Sequence, residues 1–161
     1  MYIFHISSFL CQKATRMIAL APKKYNIESP FVAVEKLVCD KIEKKYELIL
    51  KKLKMNYHVD FAAFDNDGSL RFFGEIKCRY FNHDKYDSAM VSAFKYLGIK
   101  EIHDTFNLPV ILYCQYTDKL MYWRFNTSDK IDLKWGGRTD RNSHKDIEPM
   151  CHIPMRYFKE L

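Results

Sequence analysis

The sequence predicts an α/β protein: a mixed central β-sheet flanked by helices. Three observations carry that expectation. Apolar residues from Phe31 onward recur at helical spacing. Two β-rich runs then flank Asp67-Gly68, a strong hairpin signal. A second helical stretch precedes NLPVILYCQY and KLMYWRF, two apolar runs of strand length.

Residues 1–29 read as an N-terminal extension, a weakly amphipathic segment for packing or dimerisation. No positive segment precedes its apolar stretch, and Lys13 and Arg16 interrupt the core that a signal peptide needs. Ser29 then suits an N-cap and Pro30 the first helical position. Val34, Leu37, Val38, Ile42, Tyr46, Ile49 and Leu53 predict one long helix to about Lys54, lysine-rich outside. Asp67-Gly68 fits a two-residue type I′ loop, whose central positions need positive φ. The next helix is expected from about Asp87 to Leu97. It turns Tyr86, Met90, Ala93, Phe94 and Leu97 inward, and Gly98 closes it. NLPVILYCQY reads as a central strand, joined to KLMYWRF through Thr117-Asp118. Residues 126–161 read as a C-terminal extension: a long loop with a short terminal helix or strand. The expected organisation is a single domain over 1–161, its core at about 30–125.

A chain of 161 residues buries a core without disulfide or metal staples. Its net charge of +6 favours an acidic partner, most often nucleic acid. No stretch approaches the roughly 20 apolar residues of a bilayer span, so no membrane partner is expected. The five cysteines are odd in number, widely spaced and form no CxxC pair. They read as reduced thiols in an intracellular, cytoplasmic protein.

FGEIKCR carries the chemistry. A two-residue Asp67-Gly68 loop pairs Asp60 with Glu75 and His58 with Lys77. Side chains alternate along a strand, so Asp60, Glu75 and Lys77 emerge on one face, with paired Cβ atoms about 5 Å apart. Phe64 and Phe73 share that face. Val59, Phe61, Ala63, Leu70, Phe72 and Ile76 occupy the other. Two facing carboxylates cost stability unless neutralised, and a hard divalent cation is the natural neutraliser. Lys77 cannot ligate while protonated, but it can hold a phosphate or orient an attacking water.

These pieces resemble the PD-(D/E)XK phosphodiesterase superfamily: Val59-Asp60, then Glu75-Ile76-Lys77 across a hairpin, between helices bearing Glu35 and Lys95. The resemblance spans about residues 30–125 and implies a restriction-endonuclease-like αβββαβ core. It implies that Asp60 and Glu75 bind Mg²⁺, with Mn²⁺ as a substitute, and that the Ile76 main-chain carbonyl is a further ligand. Glu35 resembles the acidic residue that several members place near the metal. Lys77 would act on water or phosphate, and Ser92 and Lys95 lie where members place polar or basic residues facing the site. Val59 stands where the motif name has proline. Size and layout look like stand-alone archaeal Holliday-junction resolvases and phage-encoded nucleases, located in the host cytoplasm in the phage case.

The expected function is a Mg²⁺-dependent nuclease acting on DNA. The alternative is a non-catalytic nucleic-acid-binding module that keeps the fold; a weaker one is a basic interaction protein with a coincidental EIK. Plainer readings stand beside each residue. Asp60, Glu75 and Lys77 also fit an exposed cross-strand salt bridge. Glu35 and Lys95 fit solvated helix positions, and His58 a strand end. Asp65, the rival to Asp60, suits turn capping. The lysines of EKKYELILKKLK fit a solvated helix face. Gly136-Gly137-Arg138 with Arg141 reads as a basic loop for phosphate or minor groove, or as a plain turn. Cys151-His152 lacks a partner pair at zinc-ligand spacing. Substrate form and oligomeric state stay open, with a homodimer among the options.

Overall fold

The computed structural model describes residues 30–54, 57–137 and 147–161. In chain order the elements are α1 (Pro30–Tyr46), β1 (Ile49–Lys52), β2 (Phe61–Phe64), β3 (Leu70–Cys78) and β4 (Ser88–Ser92). There follow α2 (Ala93–Phe106), β5 (Val110–Gln115), β6 (Leu120–Arg124), β7 (Asp132–Gly137), β8 (Ile147–Pro154), a 3-10 turn (Met155–Tyr157) and β9 (Lys159–Glu160). The N-terminal extension with Ser29 lies outside the described residues, as do Arg138 and Arg141.

Six strands make one sheet in the order β1-β2-β3-β5-β6-β9. β3 and β5 run parallel and the other neighbours antiparallel, so the sheet is mixed, as expected. Both faces are covered, which is why β2 and β5 read as near-continuous apolar runs. α1 gives Val38 and Ile42 to one face, against Phe61, Ala63, Phe72, Ile76, Tyr113 and Leu120. Against the other face, Ile99 and Ile102 of α2 meet Phe73, Leu112, Trp123, Cys151 and Ile153. The last two belong to a second sheet, order β4-β8-β7.

Several expectations change. The first helix stops at Tyr46, because Glu47 adopts a positive φ of 54° and the chain reverses into β1. The spacing of Ile49 and Leu53 fits helix and strand alike, and pairing with β2 decides for the strand. No helix covers residues 87–92; Ser88–Ser92 is a strand, and α2 starts at Ala93 and runs through Gly98 to Phe106. Asn107, left-handed at φ 52°, caps it instead of Gly98. Tyr86, Phe94 and Leu97 point outward rather than inward. Val59 packs with the α2-side core, because residues 57–60 bend and do not continue β2. The C-terminal residues, read as mostly loop, supply β7, β8 and β9. The β5–β6 turn at Thr117-Asp118 is as expected, closed by Tyr116 N–H to the Lys119 carbonyl at 2.8 Å.

The hairpin is right in register for an unexpected reason. Its loop has three residues, since Asp65 N–H donates to the Ser69 carbonyl at 3.0 Å. That would slip every pair by one. A bulge then intervenes: Phe64 pairs with Leu70 but Ala63 with Phe72, leaving Arg71 as the extra residue. Phe61 faces Gly74 as the two-residue loop had implied, and the ladder ends there: Asp60 N–H donates to the Gly74 carbonyl rather than pairing with Glu75.

Candidate active site

β2 begins at Phe61 while β3 continues past its partner Gly74 to Cys78, and Asp60 occupies the fork between them. Its N–H donates to the Gly74 carbonyl at 2.8 Å. Its Oδ2 accepts the Ile76 N–H at 2.7 Å. A carboxylate thus replaces the next rung of the ladder. The N–H and C=O of one strand residue point to the same edge, so the Ile76 carbonyl opens on the gap beside Asp60.

Glu75 is fully buried, the one buried charged residue among those described. Two ammonium groups offset its charge. Lys77 Nζ stands 2.6 Å from Oε1, and Lys95 Nζ, reaching down from α2, stands 3.0 Å from the same oxygen. Lys95 also donates to Oε2 at 3.0 Å. Lys77 both pairs with and hydrogen-bonds the buried carboxylate, so Oε1 lies between two ammonium groups. Burial pushes the Glu75 carboxyl above the usual carboxylate range; Lys77 opposes that, and Asp60 reinforces it. The exposed salt-bridge reading does not apply to a carboxylate with no solvent contact.

The charges that act on Glu75 do not include that of Glu35 on α1. Its Oε2 lies 2.8 Å from Lys52 Nζ on β1. Glu35, Ile76, Lys77 and Arg79 border one cavity of about 920 Å³, whose far wall is the second sheet. Ser92 precedes α2 and donates its hydroxyl to Glu148 Oε2 at 3.0 Å. The ammonium of Lys95 is engaged by Glu75 rather than presented at a rim. Asp65 caps the turn, accepting Ser69 N–H at 2.8 Å, and His58 packs edge-on against Phe94. His152 pairs with Ser88 and borders the cavity.

The donor set fits a hard divalent cation. An all-oxygen group of Asp60, Glu75 and the Ile76 carbonyl is the kind Mg²⁺ takes, and the repulsion between the Asp60 and Glu75 carboxylates, which helps to raise the Glu75 pKa, is what such an ion would relieve. A different trio, His83, Asp84 and Asp118, brings potential ligand atoms within 4.8 Å of one another. It is explained by its own bonds: Asp118 accepts both the His83 N–H at 3.0 Å and its ring Nδ1 at 2.6 Å, clasping two loops.

No curated protein matches the chain. A family model described as "Phage putative PDDEXK endonuclease" matches residues 22–161. That match extends past the core resemblance through the second sheet and the last strand, and by it the chain belongs to this phage PDDEXK endonuclease family.

Proposed function

We propose that this chain is a Mg²⁺-dependent nuclease that hydrolyses DNA phosphodiester bonds. The observation that carries the reading is Glu75: a fully buried carboxylate, pressed by the charge of Asp60 and held between the ammonium groups of Lys77 and Lys95. A buried charge held this way seldom serves stability, since apolar residues of the same volume do as well or better.

Asp60, Glu75 and the Ile76 carbonyl would hold the ion, and Glu35 would bear on it across the cavity. The ion, when bound, neutralises charge on the phosphate and acidifies water. Lys77, now 2.6 Å from Glu75, also borders the cavity and would turn to it if Glu75 took an ion. There it orients the attacking water or holds the phosphate as its negative charge grows. The water oxygen bonds phosphorus as the phosphorus–oxygen bond to the leaving strand breaks, and the proton that the water gives up to solvent balances the one that the departing oxygen takes from it. Lys95 keeps the Glu75 carboxylate oriented throughout. Ser92, Arg138 and Arg141 remain proposed DNA contacts, and residues 1–161 one proposed functional unit.

A cleavage assay tests this. Linear duplex, single-stranded, flap and four-way-junction DNA are incubated with protein and Mg²⁺, Mn²⁺ or EDTA. Lys77→Ala and Glu75→Ala run alongside. Metal-dependent cutting that both variants lose supports the nuclease, and the preferred substrate reports any junction selectivity. Salt-sensitive binding without cutting would replace it with the non-catalytic module.

A further inference from the structure

We propose that Arg79 and His152 form a second phosphate subsite, which takes the phosphate next to the one attacked at Lys77. The proposal rests on the nuclease reading and adds to it a strand-holding site that neither the motif nor the family description assigns.

Position is the first argument. Arg79 follows the last residue of β3, yet its N–H donates to the Gln115 carbonyl at 2.8 Å and keeps it in the sheet. Glu75, Lys77 and Arg79 therefore share one face. Strand residues two apart stand about 6.6 Å from each other. That is the scale on which successive phosphates follow one another along a nucleic-acid strand.

Charge is the second. Lys52, Lys77, Lys95, Lys100 and Lys119 each pair with a carboxylate. Arg79 does not, among the described residues. Its guanidinium donates to two main-chain carbonyls instead, Met90 at 2.7 Å and Cys78 at 3.3 Å. These bonds fix the group and leave its charge uncompensated in a half-buried position bordering the cavity. A guanidinium has five N–H donors, so some remain for an anion.

The opposing wall is the third. His152 borders the same cavity from β8, and its Nδ1 lies 3.1 Å from Ser88 Oγ. That bond orients the ring and leaves Nε2 for a ligand. Glu148 also borders the cavity, tied to Ser92. It lies four residues along β8 from His152, roughly 13 Å away, so its charge stands clear of the Arg79 end.

The test is fluorescence anisotropy with a labelled oligonucleotide in EDTA over a range of salt, beside cleavage kinetics in Mg²⁺. Arg79→Gln is the informative variant, because an amide still donates to the Met90 carbonyl while the charge is gone. Affinity should fall about tenfold, as for a lost charge-assisted hydrogen bond. The slope of log affinity against log salt should become shallower by about one. In cleavage, KM should rise far more than kcat falls. His152→Ala should show a smaller loss of affinity. Wild-type affinity and salt slope in Arg79→Gln, with or without a lower Tm, would overturn the proposal and make Arg79 only a brace for β4. If the wild-type protein neither binds nor cuts DNA, the nuclease reading itself fails and takes the subsite with it.

Discussion

Lys95 Nζ and the Glu75 carboxylate meet at 3.0 Å although 20 residues separate them in the chain. The contact ties α2 to the central strand at the one fully buried charge among the described residues. Helix placement and site electrostatics are therefore coupled. Any change at Lys95 acts on the fold and on the carboxylate together.

Lys95→Met should destabilise the metal-free protein by about 1–3 kcal/mol, the cost of stripping a partner from a buried polar group. The loss should stay below the roughly 3–5 kcal/mol of a buried pair broken outright, because Lys77 remains. Urea unfolding in EDTA measures it. An unchanged midpoint would mean that α2 does not supply this counter-charge in solution.

Divalent metal should raise the stability of the wild-type protein. An ion that binds only the folded state adds about 2.7 kcal/mol at a concentration of one hundred dissociation constants. Thermal melts with increasing Mg²⁺ should move upward in the wild type and stay fixed in an Asp60→Asn, Glu75→Gln double variant. A shift retained by the double variant would place the ion elsewhere, with the His83, Asp84 and Asp118 clasp first in line.

The same melts have a pH signature. Burial raises the folded-state pKa of Glu75 above its unfolded value, so its protonated form favours folding. That contribution is complete below the unfolded pKa and disappears as pH climbs through the folded one. Above it, the ionised carboxylate is ready for metal. The Mg²⁺-induced rise in Tm should therefore be small at acidic pH and grow as pH passes the raised Glu75 value. Its onset should lie at higher pH than an ordinary glutamate would set. In Glu75→Gln this component should vanish.

The helix–hairpin–helix–strand order was legible because its signals are local: Pro30 at a helix start, Asp67-Gly68 at a turn, unbroken apolar runs where a strand is covered on both faces. The register of the hairpin as far as Phe61 and Gly74 was legible too, though through a two-residue loop the chain does not use; the longer loop and the bulge at Arg71 cancel. What escaped depends on distant partners. SAMVS is strand because β8, some sixty residues later, pairs with it, and nothing near Ser88 announces that. Arg79 looked like the end of a motif. Its uncompensated charge emerges only when β4 offers it a carbonyl in place of a carboxylate.

Gly98 looked like a helix stop and is instead a point of close approach in mid-helix. A Cβ there would stand 2.1 Å from His58 Cγ and 2.2 Å from His58 Cβ. In an open helix, Gly→Ala gains about 0.8–1.0 kcal/mol. Here the overlap involves the root of the imidazole side chain, which cannot swing aside, and overpacking of this kind costs about 1–3 kcal/mol. Gly98→Ala should therefore destabilise the protein. The second half of the cycle isolates the cause. His58→Ala keeps the Cβ and should leave most of the penalty in place. His58→Gly removes it and should make Gly98→Ala neutral or stabilising, a coupling on the order of 1–3 kcal/mol. Equal effects of Gly98→Ala in all three backgrounds would show that α2 does not sit on residue 58 at this depth. The path by which Lys95, one turn earlier, reaches Glu75 would then be wrong as well.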